Sequence, residues 1–483
     1  MTAPSSALRD LLAQLPPESV LTDDESRFRA SFDNLRLSVL PEAVVRPRDE
    51  SEIEAVLALA NRDGIAVTPR GAGSATTGAA TPVRGGWVLD LSHWRNLHID
   101  TRQGYAYAQP GVTVAELQDS AAKQGWFYPP DPGSRAYATL GGTIATNAGG
   151  MRGAKYGVTR DYVLALEGFM PTGEWVRWGA DLRKFASGYN VRDLWIGSEG
   201  ALGIITGAVL RLVPKPKARA TMLAGYPDEK TALRAVRRIV RSRLNPSILE
   251  FLDRQTVACA LRHLEHNPSI PRPPRSFPRR TMALLLVECD GDPSVVAATH
   301  ERLQRLLEPG SISQASARTP RTAERLWAIR RNCSHAMFQM GDSKINEDIV
   351  VPLDSQPELI QLTLELNQRT GLATPTFGHA ADGNFHVHVM FNRADTDQRA
   401  RADEAIDTIM AHVVGTGGAI TGEHGVGLAK SPFLSLQHSD AEIRAMRAIK
   451  DALDPRGILN PGKVFEPFRV GEHPRVDARM PWD

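Results

Sequence analysis

Residues 69–80 read PRGAGSATTGAA, and what this loop is not narrows the fold. Its clustered Gly and Ser let backbone N–H groups come close to an anion, as in a phosphate-binding loop. The step from Gly73 to Gly78 is too long for G-x-G-x-x-G, and no Lys-Ser/Thr follows as a Walker A loop needs. No helical periodicity opens directly after it. A Rossmann or P-loop fold is therefore the wrong reading.

Working outward, PEAVVRP (41–47) reads as a strand and DESEIEAVLALANRDG (49–64) as a helix with acids in its first turn and Gly64 as its stop. IAVTP (65–69) is a second strand, so the loop ends a β-α-β start. Strands follow at 85–92 and 105–111, and a helix at 113–125. PPDPGSRAYATLGGTIATNAGG (129–150) has almost no regular pattern, and a loop of that length in a compact domain is usually functional. Residues 156–179 read as a hairpin-like pair around Pro171-Thr172-Gly173, and 193–214 as a Gly-rich turn and a strand.

The character changes at VPKPKARA (213–220), where a domain boundary is expected. Strands and helices then alternate in the pattern of an α+β layer with helices on one face of a sheet. HNPSIPRPPRSFPRR (266–280) interrupts this pattern as a surface loop, and DALDPRGILNPGKVF (451–465) closes the core before a short tail. Leu8, Leu11, Leu12 and Leu15 form one face of a short helix expected to dock on the protein.

The 483 residues make room for about three domains, or two large ones. With 42% hydrophobic and 23% charged residues the composition is that of an ordinary globular protein, and a net charge of +2 gives no pointer to nucleic acid. No apolar run reads as a signal peptide or transmembrane helix. Cys259, Cys289 and Cys333 lie far apart with no Cys-x-x-Cys, so an iron–sulfur cluster is not expected, and free thiols suit a reducing, cytoplasmic setting.

Two further stretches carry chemistry. FGHAADGNFHVHV (377–389) places a turn at Asp382-Gly383-Asn384 before an alternating, half-buried strand in which His386 and His388 share a face. His379 lies across the turn. The three histidines suit a metal site, a set of bases, or a hydrogen-bonded polar sheet face. GGAITGEHGVG (417–427) sets Glu423 beside His424 among glycines. Two histidines and one carboxylate form a common catalytic metal set that leaves a coordination position open.

As a set, PRGAGSATTG, PPDPGS…LGGTIATNAGG, YGVTRDYV, GSEGALGIIT, LWAIR, GHAADGNFH, GEHGVG and LNPGKVF resemble the flavin-dependent oxidoreductases of the vanillyl-alcohol oxidase type. The resemblance is to the D-2-hydroxyacid dehydrogenase branch and spans about residues 35–466. It implies an α+β fold. An N-terminal extension (1–34) precedes a two-subdomain FAD-binding domain of the PCMH type (35–215). A cap domain (216–450) and a C-terminal segment returning to the flavin (451–483) follow.

The resemblance also implies roles. The backbone of Arg70, Gly71, Ala72, Gly73 and Ser74, with Gly78, would cradle the FAD pyrophosphate. Pro130, Asp131, Gly141, Gly142, Thr143, Asn147, Gly149 and Gly150 belong to the loop along the adenosine and isoalloxazine portions. Glu199, Gly203, Ile204 and Ile205 would complete the adenine side, and Asn460 would approach the ring. Ser74 stands where flavin-linked relatives carry His, which implies noncovalent FAD. His379, His386 and Glu423 match ligands of a divalent metal, Zn2+ before Mn2+ or Fe2+. His424 matches the base, Arg330 the grip on a substrate carboxylate, and Lys344 its helper, while His388 matches no role. The implied reaction oxidises a D-2-hydroxy acid (D-lactate, glycolate or D-2-hydroxyglutarate type) to the 2-oxo acid. Electrons would pass to a quinone, electron-transfer flavoprotein or cytochrome, in a cytoplasmic or membrane-peripheral protein that pairs with itself or with another subunit. The competing readings are an FAD-dependent transferase of the alkylglycerone-phosphate synthase type, whose run of consecutive histidines is missing here, a metal hydrolase, and a noncatalytic flavin-binding subunit.

Overall fold

The computed structural model describes residues 5–271, 280–469 and 476. The middle of the Pro/Arg-rich loop, 272–279, and most of the tail lie outside the described residues. The chain divides into two compact units: Met1–Gly149, Val158–Lys215 and Glu423–Asp483 form the first, and Gly150–Gly157 with Pro216–Gly422 the second.

Among the described residues the first unit holds two larger sheets, each with its own apolar core, and a two-stranded pair of Val213–Pro214 with Trp126–Phe127. In the four-stranded sheet, Ala43–Val45, Trp87–Asp90 and Val67–Arg70 run parallel, with Val20–Leu21 antiparallel at the edge. The crossover helix Glu50–Asp63 is fixed at both ends. Asp49 accepts the Glu52 N–H at 3.2 Å, and Gly64 ends the helix in the left-handed conformation. It buries Ile53, Val56 and Leu57 against Val67, Trp87 and Leu89. The N-terminal helix Ser6–Gln14 docks on this core through Leu8 and Leu11, with Leu15 just beyond it. Leu12, expected on the same face, is 40% exposed, because it lies at the flank of the row formed by Leu8, Leu11 and Leu15.

The second sheet is antiparallel, in the order Leu97–Asp100, Tyr105–Ala108, Ile204–Arg211, Val163–Phe169, Trp175–Gly179. Its core includes Tyr128, Tyr162, Trp195 and Ile144. The stretch expected to lack regular pattern contains one helix, Leu140–Thr146. Two glycines mask its propensity, but Leu140 and Ile144, four residues apart, are both buried, and that tertiary packing sustains the turns.

The second unit is built on seven strands. Their order is Ser313–Ala317, Ala218–Tyr226, Ala283–Gly291, Ile248–Leu252, Thr376–His379, Asn384–Phe391, Ser343–Val350, and every neighbouring pair is antiparallel. Helices Arg254–His266 and Pro320–Ala336 cover the face carrying Ile248, Leu252, Leu284 and Leu286. The expectation of helices on one face only is corrected. Leu249, Phe251, Leu285, Val287 and Val389 point the other way and are also buried, and helices Glu229–Arg241, Pro293–Leu307 and Thr396–Gly415 pack on these strands. The strand Asn384–Phe391 is accordingly buried at every residue, not half-buried as its alternation suggested. The alternation survives as chemistry, with Phe385, Val387 and Val389 on one face and Asn384, His386 and His388 on the other. Segment Gly150–Gly157 is anchored by buried Asp290, which pairs with Lys155 and accepts the Tyr156 hydroxyl at 2.9 Å.

Candidate active site

In the first unit the two glycine-rich loops meet. A Cβ on Gly71 would lie 2.1 Å from Thr139 Oγ1, so only glycine lets the first loop pass this close to the second. Arg70, at the end of its strand, turns its guanidinium back to the carbonyls of Ala80 (3.4 Å) and Arg29 (3.2 Å). Burial lowers its pKa while Asp33 and Asp90 oppose the shift. The result is a cation held beside a loop rich in backbone donors, a fit for a diphosphate. Ala72, Gly73, Ser74 and Gly78 continue that loop, Gly73 and Gly78 with positive φ.

On the second loop, Gln118 donates to the Pro130 carbonyl at 2.8 Å and to Asp131 at 3.3 Å. Gly141 lies against Pro110, and Gly142 follows it in the first turn of the short helix. The Thr143 hydroxyl donates to Leu140 O at 3.0 Å, and Asn147, left-handed at φ 51°, ends the helix. Gly149 closes the loop in the first unit, and Gly150 begins the segment assigned to the second.

The loop carrying Glu423 and His424 is docked onto both glycine loops. A Cβ on Gly149 would sit 2.8 Å from Glu423 Oε2, and the Thr77 hydroxyl donates to the His424 carbonyl at 3.3 Å. Its far end is tied by Glu199, whose carboxylate accepts Val426 N–H at 2.7 Å and Gly427 N–H at 2.8 Å. Burial pushes Glu199 up to about 7, and those two N–H groups pull against the shift. Asn460 donates to Ala79 O at 2.9 Å and Glu199 O at 2.7 Å and accepts from Lys463 at 3.1 Å. Glu199 and Asn460 thus staple the site loops together. Gly203 lies against the Trp195 indole, and Ile204 and Ile205 open the central strand of the second sheet.

In the second unit, register aligns a polar face across four strands. One row runs Glu250, His379, Asn384, and the next Phe377, His386, Asp348. Glu250 is fully buried. Its Oε1 lies 2.5 Å from His379 Nδ1 and its Oε2 2.5 Å from Arg330 Nε. Burial would raise the Glu250 carboxyl, but His379 and Arg330 outweigh it and hold the group down at about 2. Removing one partner from such a buried pair costs about 3–5 kcal/mol. The Arg330 guanidinium also lies over the Phe377 ring at 4.3 Å, so both its edge and its face are held. His379 and His386 meet edge to face, with centroids 5.4 Å apart. Two buried imidazoles, one bonded through Nδ1 to a carboxylate, are a donor set that fits a divalent cation.

Lys344 lies on the same face and donates to Ser334 Oγ at 2.6 Å; Ser334 is one helical turn beyond Arg330. Burial lowers the Lys344 pKa to about 8. His388 stacks on Phe377 at 5.1 Å, and burial, with Lys344 and His386 nearby, holds its pKa well below the ordinary histidine value. It is a core histidine.

Three residues of this face escaped the sequence reading. Glu250 sits in SILEFLDR as a charge at a core-facing position between Ile248 and Leu252, a break in alternation that could have flagged it. Asp348 accepts from Asn384 Nδ2 at 2.6 Å, Thr421 Oγ1 at 3.1 Å and Gly422 N–H at 2.9 Å. It thereby fixes the chain immediately before Glu423. Asn384, a turn residue by its sequence, also stands on the polar face opposite His379.

Comparison with known proteins agrees with this geometry. Residues 41–179 match the FAD binding domain family, and residues 215–464 the C-terminal domain of FAD linked oxidases. The glycolate oxidase subunit GlcD of Bacillus subtilis (strain 168) is 36% identical over 452 residues, covering 93% of this chain and 94% of that protein. D-lactate dehydrogenase of Anaerostipes hadrus is 34% identical over 458 residues, covering 93% and 95%. Among solved structures, p-cresol methylhydroxylase with substrate bound superposes with a TM-score of 0.76 at 16% identity, covering 95% of this chain and 96% of that one. Alkyldihydroxyacetonephosphate synthase does so at 0.72 and 21%, covering 96% and 86%. At these identities the two structures establish the fold alone. Fold and loops define an FAD-binding oxidoreductase of the PCMH type. Within that class the chain belongs to the FAD-linked oxidases, in the branch of the D-2-hydroxyacid dehydrogenases and glycolate oxidase subunits. The transferase and hydrolase alternatives give way to this family. Among the described residues no helix is long and apolar enough to cross a membrane.

Proposed function

We propose that the protein oxidises a small D-2-hydroxy acid, of the D-lactate or glycolate type, to the 2-oxo acid and passes the electrons to an external acceptor. The observation that carries this reading is the polar sheet face, where one buried carboxylate, Glu250, holds the Arg330 guanidinium and the His379 imidazole, and the buried His386 ring packs edge to face on His379. Names of relatives point the same way: a glycolate oxidase subunit and a D-lactate dehydrogenase.

Arg330 binds the substrate carboxylate through two parallel hydrogen bonds, which fix the face of C2 presented for oxidation. Lys344 adds a second positive charge on the same side. His424 takes the hydroxyl proton as C2 gives up its hydride. His379, His386 and Glu423 are the proposed ligands of a divalent metal, Zn2+ in the first instance. Bound FAD supplies the hydride acceptor, and a bound metal lowers the pKa of the substrate hydroxyl. With Ser74 in the first loop, the FAD is held noncovalently. The test is a panel of D- and L-2-hydroxy acids with an artificial dye as acceptor, run before and after chelation. Turnover of a D-2-hydroxy acid that chelation removes and Zn2+ restores is the expected result. Equal use of both enantiomers, or indifference to chelation, would sink the assignment.

A further inference from the structure

Arg330 and His379 belong to different elements, a helix and a strand, and in the proposed reaction they do different jobs. One side chain reaches both. Glu250, at the centre of strand Ile248–Leu252, is fully buried and directly opposite His379 in the register. Its two oxygens are divided: Oε1 is 2.5 Å from His379 Nδ1, and Oε2 is 2.5 Å from Arg330 Nε. We propose that Glu250 is a positioning residue that sets the substrate-carboxylate grip and the metal ligand together, by fixing the guanidinium plane of Arg330 and the tautomer of His379. This rests on the function proposed above.

The tautomer follows from donor and acceptor chemistry. A carboxylate oxygen accepts, so the His379 nitrogen facing it carries the hydrogen, and in the neutral ring Nε2 then holds the lone pair. Nε2 is therefore the atom His379 offers a cation, and the hydrogen bond at Nδ1 strengthens its basicity. The same carboxylate takes the Arg330 Nε–H, and Phe377 supports the guanidinium face at 4.3 Å. With edge and face held, the plane of the guanidinium is set before any carboxylate arrives, so less entropy is lost on binding.

Glutamine at this position can serve only one arm. If its carbonyl oxygen accepts from Arg330, its NH2 group faces His379 Nδ1. That nitrogen must then hold the lone pair, and the hydrogen moves to Nε2, where it blocks a metal. If the carbonyl oxygen faces His379, two donors meet at Arg330. Glu250→Gln, nearly equal in size and shape to the native side chain, therefore uncouples the pair without opening a cavity.

The experiment uses the FAD-loaded protein after chelation. Zn2+ alone is titrated calorimetrically, and propionate, a carboxylate without a hydroxyl, is measured as an inhibitor. Glu250→Gln should retain FAD, weaken Zn2+ binding or propionate inhibition by about tenfold or more, and shift KM or metal dependence accordingly. A change of less than threefold in both, with FAD retained, would overturn the proposal while leaving the proposed function standing. A wild-type protein that takes up no Zn2+ would instead overturn the metal-assisted reading, and this inference with it. A second measurement needs no variant. Nitrogen chemical shifts of labelled histidine in the metal-free wild-type protein should show His379 hydrogen-bearing at Nδ1. An Nε2–H tautomer for His379 refutes the positioning role even if Glu250→Gln fails to fold.

Discussion

The first unit builds its binding surface from backbone, and the second from side chains. In the first, Gly71 passes Thr139 where any Cβ would collide, and the glycine loops carry the main-chain N–H groups proposed to receive a large anionic cofactor. In the second, buried carboxylates hold side chains on the sheet face: Glu250 holds Arg330 and His379, and Asp348 holds Asn384 and also takes the Gly422 N–H. A cofactor that stays can be held by a shape. The small acid proposed as substrate would be held by charges aimed in advance, and that aim needs buried carboxylates behind it.

The largest break in this contrast should come from Gly71→Val. A branched side chain there forces the two loops apart, and the purified protein should be colourless, with all activity lost. Retention of stoichiometric FAD, read from visible absorbance, would show that the loops tolerate a side chain and are not a backbone site. His424→Ala tests the one loop that both glycine loops support. FAD and bound metal should be unchanged, while stopped-flow flavin bleaching slows by about 10²–10⁴-fold, the usual worth of a positioned base. Normal bleaching would move the base elsewhere.

Arg330→Ala should lower kcat/KM for every 2-hydroxy acid by roughly tenfold to more than a hundredfold, the equivalent of about 1.5–3 kcal/mol. It also strips a partner from buried Glu250, so the melting temperature should fall with the activity. An unchanged kcat/KM would mean that the carboxylate is bound at another place. The smallest effect concerns pH. Lys344, with its pKa lowered to about 8 by burial, loses its charge earlier than an ordinary lysine as pH rises. The kcat/KM for an anionic substrate should therefore drop by roughly fivefold across that point, the worth of one modest polar contact. In Lys344→Met the step should vanish and the low-pH value should already be reduced. A step that survives in Lys344→Met belongs to another group.

The same contrast explains what could be read from the sequence. Backbone sites write themselves as local composition, and PRGAGSATTG and LGGTIATNAGG stand out because glycine is there to let chain approach chain. The histidine strand was legible as alternation, and its polar face is real. Its full burial was not legible, because it depends on tertiary packing, by helix Thr396–Gly415, the next along the chain, and by helix Pro320–Ala336 from distant sequence. Glu250 and Asp348 were missed for the same reason. Each is a single acid in an ordinary strand, and its meaning lies in a partner 129 residues away for Glu250 and His379, or 74 for Asp348 and Gly422. Glu199 and Asn460, expected beside the cofactor, direct the hydrogen bonds seen here to neighbouring chain segments.

Val67, in the third strand of the parallel sheet, donates its N–H to Ile458 O at 2.8 Å and accepts the Asn460 N–H at 2.8 Å. This has a consequence for the nascent chain on the ribosome. A strand made early must wait for a segment that emerges only after all of Pro216–Gly422 has been translated. The strands of both larger sheets of the first unit are made before Pro216, and domains fold as they emerge at about 5–20 residues per second. The bridge from Val67 to Leu459, however, closes only after the second unit has been made. The cofactor unit, begun first, is finished last, and until Ile458–Asn460 arrives the edge at Val67 lacks these backbone partners.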